Sequence, residues 1–456
     1  MSSPGKTCFF SLIVCVSFFI ACQNKTKPEA DPMEVLRVEI QDELENNVLA
    51  NWYPRCIDSV YGGYLTNFDA QFEVLEAQNK MIVSQTRHVW TTATHFLNSN
   101  DSDYLDYATH GFRFLENFWD EEYGGYYQFT TQEGQPLDPE ELKTAYGNSF
   151  AIYALSAYYE ASKDEKSKEL ALATFNWLEK YSHDSVHGGY FSQMLRNGQA
   201  VMRSDTIAST SSLAYKDQNP TIHLLEAFTS LYLISKDELV KKRLQELYDI
   251  LYDKIIGDKE YMSLYFHRDW TPVDFRHLSR EEQERHMRLN HISFGHDIET
   301  TYLLLEAAVA LGLDEKMAID KARMLADNTL KFGWDELNGG IFDEGYYFDL
   351  DGAPEIVKNT KNWWEQAETL NTLLLLHDHY PNDGYDSLFS KQWDYIKNHI
   401  RDRTYGGWYS YGTDTHLGAK ERMKGQAWKV AYHNYRGLVN CFNLLNKGKL
   451  GAAGTH

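Results

Sequence analysis

At 456 residues, 43% hydrophobic and 24% charged, the chain holds enough apolar material for a large core, which excludes wholesale disorder. The formal net charge is −22 and no basic tract exceeds the short cluster around Lys241, so nucleic acid, itself a polyanion, is excluded as a partner. Aromatic residues reach 14%; sugar sites and large helical cores both use such rings, so this number alone decides nothing.

The first predicted element is an export signal. Lys6 precedes an apolar run from Cys8 to Ala21, too short to span a bilayer comfortably, and charge, apolar stretch and small residue come in the order of such a signal. The run ends Phe19-Ile20-Ala21-Cys22, which resembles a bacterial lipobox with Cys22 as the lipidated residue, Phe19 standing where Leu is commoner. Simple secretion is the alternative. The expected organisation is a signal over 1–21, a tether over 22–32, a catalytic domain over 33–447 and a tail over 448–456. The expected location is the cell envelope or periplasm, with membrane contact only through the lipid. Cys56 and Cys441 remain after the signal and Cys22; so far apart in sequence, they are expected as unpaired core residues, a disulfide being the alternative.

From Asp31-Pro32 a helix is predicted, with Leu36, Ile40, Leu44, Val48 and Trp52 recurring every four residues. A double-glycine turn follows at Tyr61-Gly62-Gly63-Tyr64. It returns at Tyr123-Gly124-Gly125-Tyr126, His187-Gly188-Gly189-Tyr190, Asn338-Gly339-Gly340-Ile341 and Tyr405-Gly406-Gly407-Trp408, with a degenerate copy from Tyr261 to Phe266 in the one double-length gap. Six units are implied, and glycine pairs between aromatics suit tight hairpins that need positive φ. Between the turns, uniformly apolar runs (Phe150 to Tyr159, Leu224 to Ile234, Tyr302 to Leu311, Leu370 to Leu376, Leu438 to Leu445) alternate with amphipathic ones such as Leu239 to Lys254 and Met317 to Phe332. A helix apolar nearly all round is buried on all sides. One buried and one half-exposed helix per unit predicts an all-α fold, an (α/α)6 barrel of about twelve helices; a linear solenoid is the alternative.

Each buried helix is predicted to open on polar or aromatic residues: Thr86-Arg87-His88-Val89-Trp90, Ala145-Tyr146-Gly147-Asn148, Asn219-Pro220-Thr221-Ile222-His223, Gly295-His296-Asp297-Ile298-Glu299, Trp363-Trp364-Glu365-Gln366-Ala367-Glu368 and Trp428-Lys429-Val430-Ala431-Tyr432-His433. Parallel inner helices gather these openings at one mouth, a polar pocket at the end of an apolar barrel. Helix N-termini disfavour imidazolium and stabilise an enediolate oxygen, as Arg87 would, so neutral histidines can serve there as bases. Glu299, three residues after His296, is expected to hold that imidazole in one tautomer. Metal binding by the histidines with Glu299 is an alternative, but no HExxH or comparable ligand set appears, and no metal is expected.

These residues carry a specific resemblance. Trp52-Tyr53-Pro54-Arg55, Lys143-Thr144-Ala145-Tyr146-Gly147, His223-Leu224-Leu225-Glu226-Ala227, Phe294-Gly295-His296-Asp297-Ile298-Glu299, Trp363-Trp364-Glu365-Gln366-Ala367-Glu368 and Trp428-Lys429-Val430-Ala431-Tyr432-His433-Asn434 resemble, in order, the N-acylglucosamine 2-epimerase superfamily, and within it the cellobiose 2-epimerases. The resemblance implies an (α/α)6 barrel with no required cofactor, acting on a reducing monosaccharide or oligosaccharide. It implies His296 and His433 as the acid/base pair, assisted by His223 and Arg87. Asn219, Tyr146, Glu299 and Glu368 would bind or orient, and Trp364 and Trp428 would stack on sugar rings. Thr221, Asn148, Ser149 and Phe294 depart from the family pattern, which bears on substrate preference. Two other functions stay open: an inverting glycoside hydrolase using Glu299 and Glu368, and a non-catalytic glycan-binding lipoprotein.

Overall fold

The computed structural model describes residues 1, 2, 5, 32–349 and 352–453, with side chains described as far as residue 447. The proposed lipobox and Cys22 lie outside the described residues, and among those described no helix is long and apolar enough to cross a membrane.

Twelve helices among the described residues build the barrel, and a short further helix, Arg280–His286, lies in the connection that leads to the fourth inner helix. The twelve are α1 (Pro32–Asp42, prolonged by a wider turn over Glu43–Leu49 and by Ala50–Trp52), α2 (Ile82–Ser99), α3 (Ser102–Leu115) and α4 (Ala145–Ser162). Next come α5 (Glu165–Tyr181), α6 (Gln218–Ser235), α7 (Glu238–Ile250) and α8 (Phe294–Leu311). The last four are α9 (Glu315–Phe332), α10 (Trp363–His379), α11 (Tyr385–Tyr395) and α12 (Tyr432–Ala453). The even-numbered helices pack in order around one axis, and α12 returns to α2, so the ring closes and the solenoid is excluded. The odd-numbered helices lie outside, each against an inner one. The division follows composition: α4 buries Phe150, Ala151, Ile152, Ala154 and Leu155 in succession, whereas α5 buries only one face.

Inner and outer helices are joined by a two-part hinge. Asn100, Lys163, Lys236 and Gly312 end α2, α4, α6 and α8 in the left-handed region, at φ of 59°, 59°, 53° and 73°. Asp101, Asp164, Asp237 and Asp314 then cap the next helix through their carboxylates. The chain reverses within a few residues, so outer helices run antiparallel to inner ones and all six inner helices start at the same end. Pro32, which opens an outer helix, and the end of α12 therefore lie at the opposite end.

The double-glycine turns hold the starting end together. Gly125 sits at φ 73°, and a Cβ there would lie 2.7 Å from the Trp177 ring. In three of the turns the amide just after the glycines is received by the fourth residue of an inner helix: Tyr64 by Gln85, Tyr126 by Asn148 and Ile341 by Gln366. Beneath the turns runs a repeated buried ion pair: Lys80–Asp58, Lys143–Asp120, Lys216–Asp184, Lys361–Asp335 and Lys424–Asp402. Each lysine also donates to the carbonyl of the turn's first glycine. The degenerate copy breaks the series at both positions. Ile256, six residues before Met262 as Asp120 is before Tyr126, and Ile292, two residues before α8 as Lys143 is before α4, are both buried. Asp297 still receives the Met262 amide there.

A buried charge is costly alone and tolerable when paired. Lys80→Met, which leaves Asp58 buried without its partner, is expected to cost about 3–5 kcal/mol in urea unfolding; adding Asp58→Ile, after the apolar precedent in the degenerate unit, should recover part of that.

Candidate active site

The first two turns of the inner helices enclose a cavity of about 190 Å³. Arg87, Tyr146, Asn219, His223, His296, Glu299, Trp364, Trp428 and His433 all line it, together with Trp363. Of the predicted site residues only Glu368 does not reach its surface; it lies directly behind His433. The helix starts differ in register from expectation. Arg87, His223, Glu299 and Glu368 stand six residues into their helices, and Trp428 precedes α12 in a turn. Trp428 is 49% exposed and forms part of the rim.

Each histidine has one ring nitrogen occupied. His433 Nδ1 lies 2.7 Å from Glu368 Oε1, His223 Nδ1 lies 3.1 Å from Glu226 Oε2, and His296 Nδ1 lies 2.7 Å from Ser293 Oγ. A neutral imidazole that donates from Nδ1 to its carboxylate keeps Nε2 as an unprotonated acceptor facing the cavity. The expectation for Glu299 is corrected here: Ser293, from the residue just before α8, holds His296, while Glu299 binds Arg436. The i,i+3 spacing is right, but the guanidinium attracts the carboxylate more strongly than a neutral ring does.

Burial first keeps the His296 and His433 rings uncharged. It lowers the His296 pKa to about 4 against the pull of Glu299. It also lowers His433 well below the ordinary value, with Arg87 and Arg436 acting in the same direction. Burial is the largest cause, where the sequence reading invoked helix ends. His296 and His433 both contact the Trp364 ring, with centroids 5.0 Å and 5.6 Å away, so the indole spans the two. Gly295 permits this, since a Cβ there would lie 2.6 Å from that indole.

Two guanidinium groups divide the charge. Arg87 donates to Tyr146 Oη and the Trp428 carbonyl, both at 3.0 Å, and lies over the Phe150 ring at 4.6 Å. No carboxylate is paired with it among the described residues, so its positive charge is available to an anion in the cavity. Arg436, which the sequence reading missed, is 1% exposed and binds Glu226, Glu299 and Glu368 at once. Burial pushes all three carboxyls up; Arg436 brings Glu226 and Glu299 net below their ordinary value, while Glu368 stays raised. The signal was a shared spacing: Glu226, Glu299 and Arg436 each follow a cavity histidine by three residues.

Oxygen atoms of Glu299 and Glu368 and a ring nitrogen of His433 lie within 4.8 Å of one another, a grouping that could hold a metal. Arg436 already donates to both carboxylates, placing a cation of the protein's own at that point. Thr221, Asn148, Ser149 and Phe294, the departures from the family pattern, do not line the cavity. Asn148 holds a turn amide, Thr221 donates to the carbonyl of Asp217 just before its helix, Ser149 donates to the Tyr146 carbonyl within its own, and Phe294 packs beside Gly333 and Gly345.

The N-acylglucosamine 2-epimerase profile matches residues 63–436, from the first double-glycine turn to Arg436. The chain belongs to the N-acylglucosamine 2-epimerase family. Within that family it is 29% identical over 425 residues to a cellobiose 2-epimerase of Bacteroides fragilis, covering 91% of this chain and 100% of that one. A D-mannose isomerase of Marinomonas mediterranea is 25% identical, over 87% of this chain and 94% of its own. The structure of cellobiose 2-epimerase from Spirochaeta thermophila superposes with a TM-score of 0.78 at 27% identity, covering 91% of this chain and 98% of that chain. The (α/α)6 barrel is thus the family's fold as well as this chain's.

Proposed function

We propose that this family member is a carbohydrate 2-epimerase acting on a reducing sugar, with a β-1,4-linked disaccharide such as cellobiose or mannobiose as substrate. The observation that carries the reading is the pair of buried, uncharged imidazoles, His296 and His433, on one cavity that also presents an unpaired guanidinium. Inversion at a carbon needs a base on each face, because a single base returns the proton to the side it came from. With the sugar open as its aldehyde, one histidine takes the C2 proton. Arg87 holds the enediolate oxygen, and the second histidine, carrying a proton drawn from solvent, delivers it to the other face and returns to its neutral form. The similarity to cellobiose 2-epimerases and to a D-mannose isomerase supports this chemistry, and the exposed face of Trp428 at the rim suits a second sugar ring.

The hydrolase alternative fits poorly. An inverting pair of carboxyls stands about 6.5–9.5 Å apart across the scissile bond; here the carboxylates of Glu299 and Glu368 share one guanidinium on the same side of the cavity. A purely binding protein has no use for two histidines held neutral. The decisive experiment is incubation with a panel of reducing sugars in D2O, read by NMR. A disaccharide should gain deuterium at C2 and convert to its epimer; release of two monosaccharides, or no exchange with any sugar, would overturn the proposal.

The rate should also report the histidines. The histidine that takes the C2 proton works only uncharged, and a lowered pKa means it stays so until the solution is more acidic than usual for imidazole. We expect kcat/KM to hold level down to about pH 5 and to fall below it as His296 takes up a proton near 4. A fall centred at 6.5 would place an unburied histidine in the role.

For location, we propose export with lipidation at Cys22, supported by the order Lys6, apolar run, Ala21-Cys22. Labelled palmitate should enter the full chain and fail to enter Cys22→Ser.

A further inference from the structure

The C2 chemistry employs two of the three histidines that line the cavity. It also presupposes an earlier step. Opening a sugar ring moves one proton off the anomeric hydroxyl, O1, and another onto the ring oxygen, O5. The cavity wall divides in a way that suits the two tasks. His296, Trp364 and His433 come from α8, α10 and α12, and the indole spans the two imidazoles. Arg87, Tyr146 and His223 come from α2, α4 and α6, the other half of the ring of inner helices.

Donors and acceptors on this second arc are arranged for proton transfer. His223 is 3% exposed, its Nδ1 lies 3.1 Å from Glu226 Oε2, and Glu226 is in turn held by Arg436. With Nδ1–H given to that carboxylate, Nε2 is a bare acceptor, and it has no partner among the described residues. Tyr146 stands perpendicular to the imidazole, with ring centroids 5.1 Å apart. Arg87 donates to Tyr146 Oη at 3.0 Å, so the hydroxyl accepts there and keeps its own proton, for which no acceptor stands among the described residues. Burial raises the pKa of that hydroxyl and Arg87 pulls it down, so a phenoxide formed in passing rests against a guanidinium. A base with a free lone pair and an acid with a free proton are therefore neighbours. The C2 steps set out above use neither.

We propose that the cavity carries a further activity, mutarotation of the reducing sugar, with His223 and Tyr146 as its catalytic pair. His223 Nε2 takes the proton from O1, and the electron pair left on O1 forms the carbonyl with C1. The C1–O5 bond breaks, and O5 receives the Tyr146 proton. The aldehyde turns about its C1–C2 bond and closes on its other face. O5 then returns its proton to the phenoxide as it adds to C1, and O1 takes one back from the His223 imidazolium. Nothing is oxidised or reduced, and both side chains end as they began. The inference rests on the cavity being a sugar site and is independent of inversion at C2; the same opening supplies the aldehyde on which His296 and His433 act.

The test is polarimetry on freshly dissolved cellobiose of one anomeric form, in weak buffer near neutral pH. The unaltered chain should bring it to anomeric equilibrium at least about tenfold faster than buffer alone, a modest share of what a positioned acid or base supplies. His296→Ala/His433→Ala, which removes both C2 bases, should keep that acceleration within about threefold. Adding His223→Gln or Tyr146→Phe should each cut it at least about tenfold, with circular dichroism unchanged. The same two changes made singly in the unaltered chain give a second background for the comparison. Acceleration absent from the unaltered chain, lost in a folded His296→Ala/His433→Ala, or undiminished by both further changes would each overturn the proposal. Epimerisation read in parallel keeps the two readings apart. Inversion at C2 without faster mutarotation removes only this pair's role; faster mutarotation without C2 exchange in any sugar removes only the two-base step.

Discussion

His433→Ala and His296→Ala are each expected to lose epimerisation by at least about 10³-fold in kcat, within the range that a positioned acid/base group supplies, with circular dichroism and thermal unfolding near those of the unaltered chain. Each ring lines the cavity, so its loss opens space at a wet surface instead of a void in the core. The two variants should also differ from a simple knockout. A chain that keeps one base can still remove and return a proton on one face. In D2O each variant should therefore exchange the C2 proton of one epimer, opposite epimers for the two variants, without producing the other epimer. Full activity in both variants would end the two-base mechanism. Loss of activity together with loss of all exchange in both would move the chemistry onto a shared step, such as ring opening.

The largest effect on stability is expected from Arg436→Met. Among the described residues that guanidinium is the one cation bound to Glu226, Glu299 and Glu368, and Arg436 also donates to Tyr432 Oη. Removing it leaves buried carboxylates facing one another; breaking a buried pair costs about 3–5 kcal/mol, and here three acceptors lose their donor. Urea unfolding should show a loss at or above that range. Glu226→Gln added to Arg436→Met should return part of it by removing one of the stranded charges. Arg436→Lys should fall between, because an ammonium lacks the planar fork that reaches several acids at once. A loss under 1 kcal/mol in Arg436→Met would mean the carboxylates are satisfied in another way.

Much of this architecture was legible in the residues. The double-glycine turns marked the six units, and the alternation of apolar and amphipathic runs marked inner and outer helices, because both are local consequences of backbone geometry and burial. The cavity's members were legible for a related reason: polar side chains at the start of otherwise apolar helices have few other places to go. What escaped was partner choice. Glu299 beside His296 satisfied a one-helix rule, yet its partner, Arg436, comes from a helix 137 residues later, and only the closed ring brings them together. Ser293 was hidden because it acts from the residue before its helix, where a serine ordinarily reads as a cap. The lysine and aspartate under each turn recur at fixed positions and could have been found by aligning the units on their glycines; the isoleucine pair in the fourth would then have read as a matched replacement.

The hinges that reverse the chain also decide how this molecule can be handled. Since Pro32 and the last turn of α12 both sit away from the mouth, a reporter domain or a resin linkage placed just before Pro32 or just after α12 leaves sugar free to diffuse in and out.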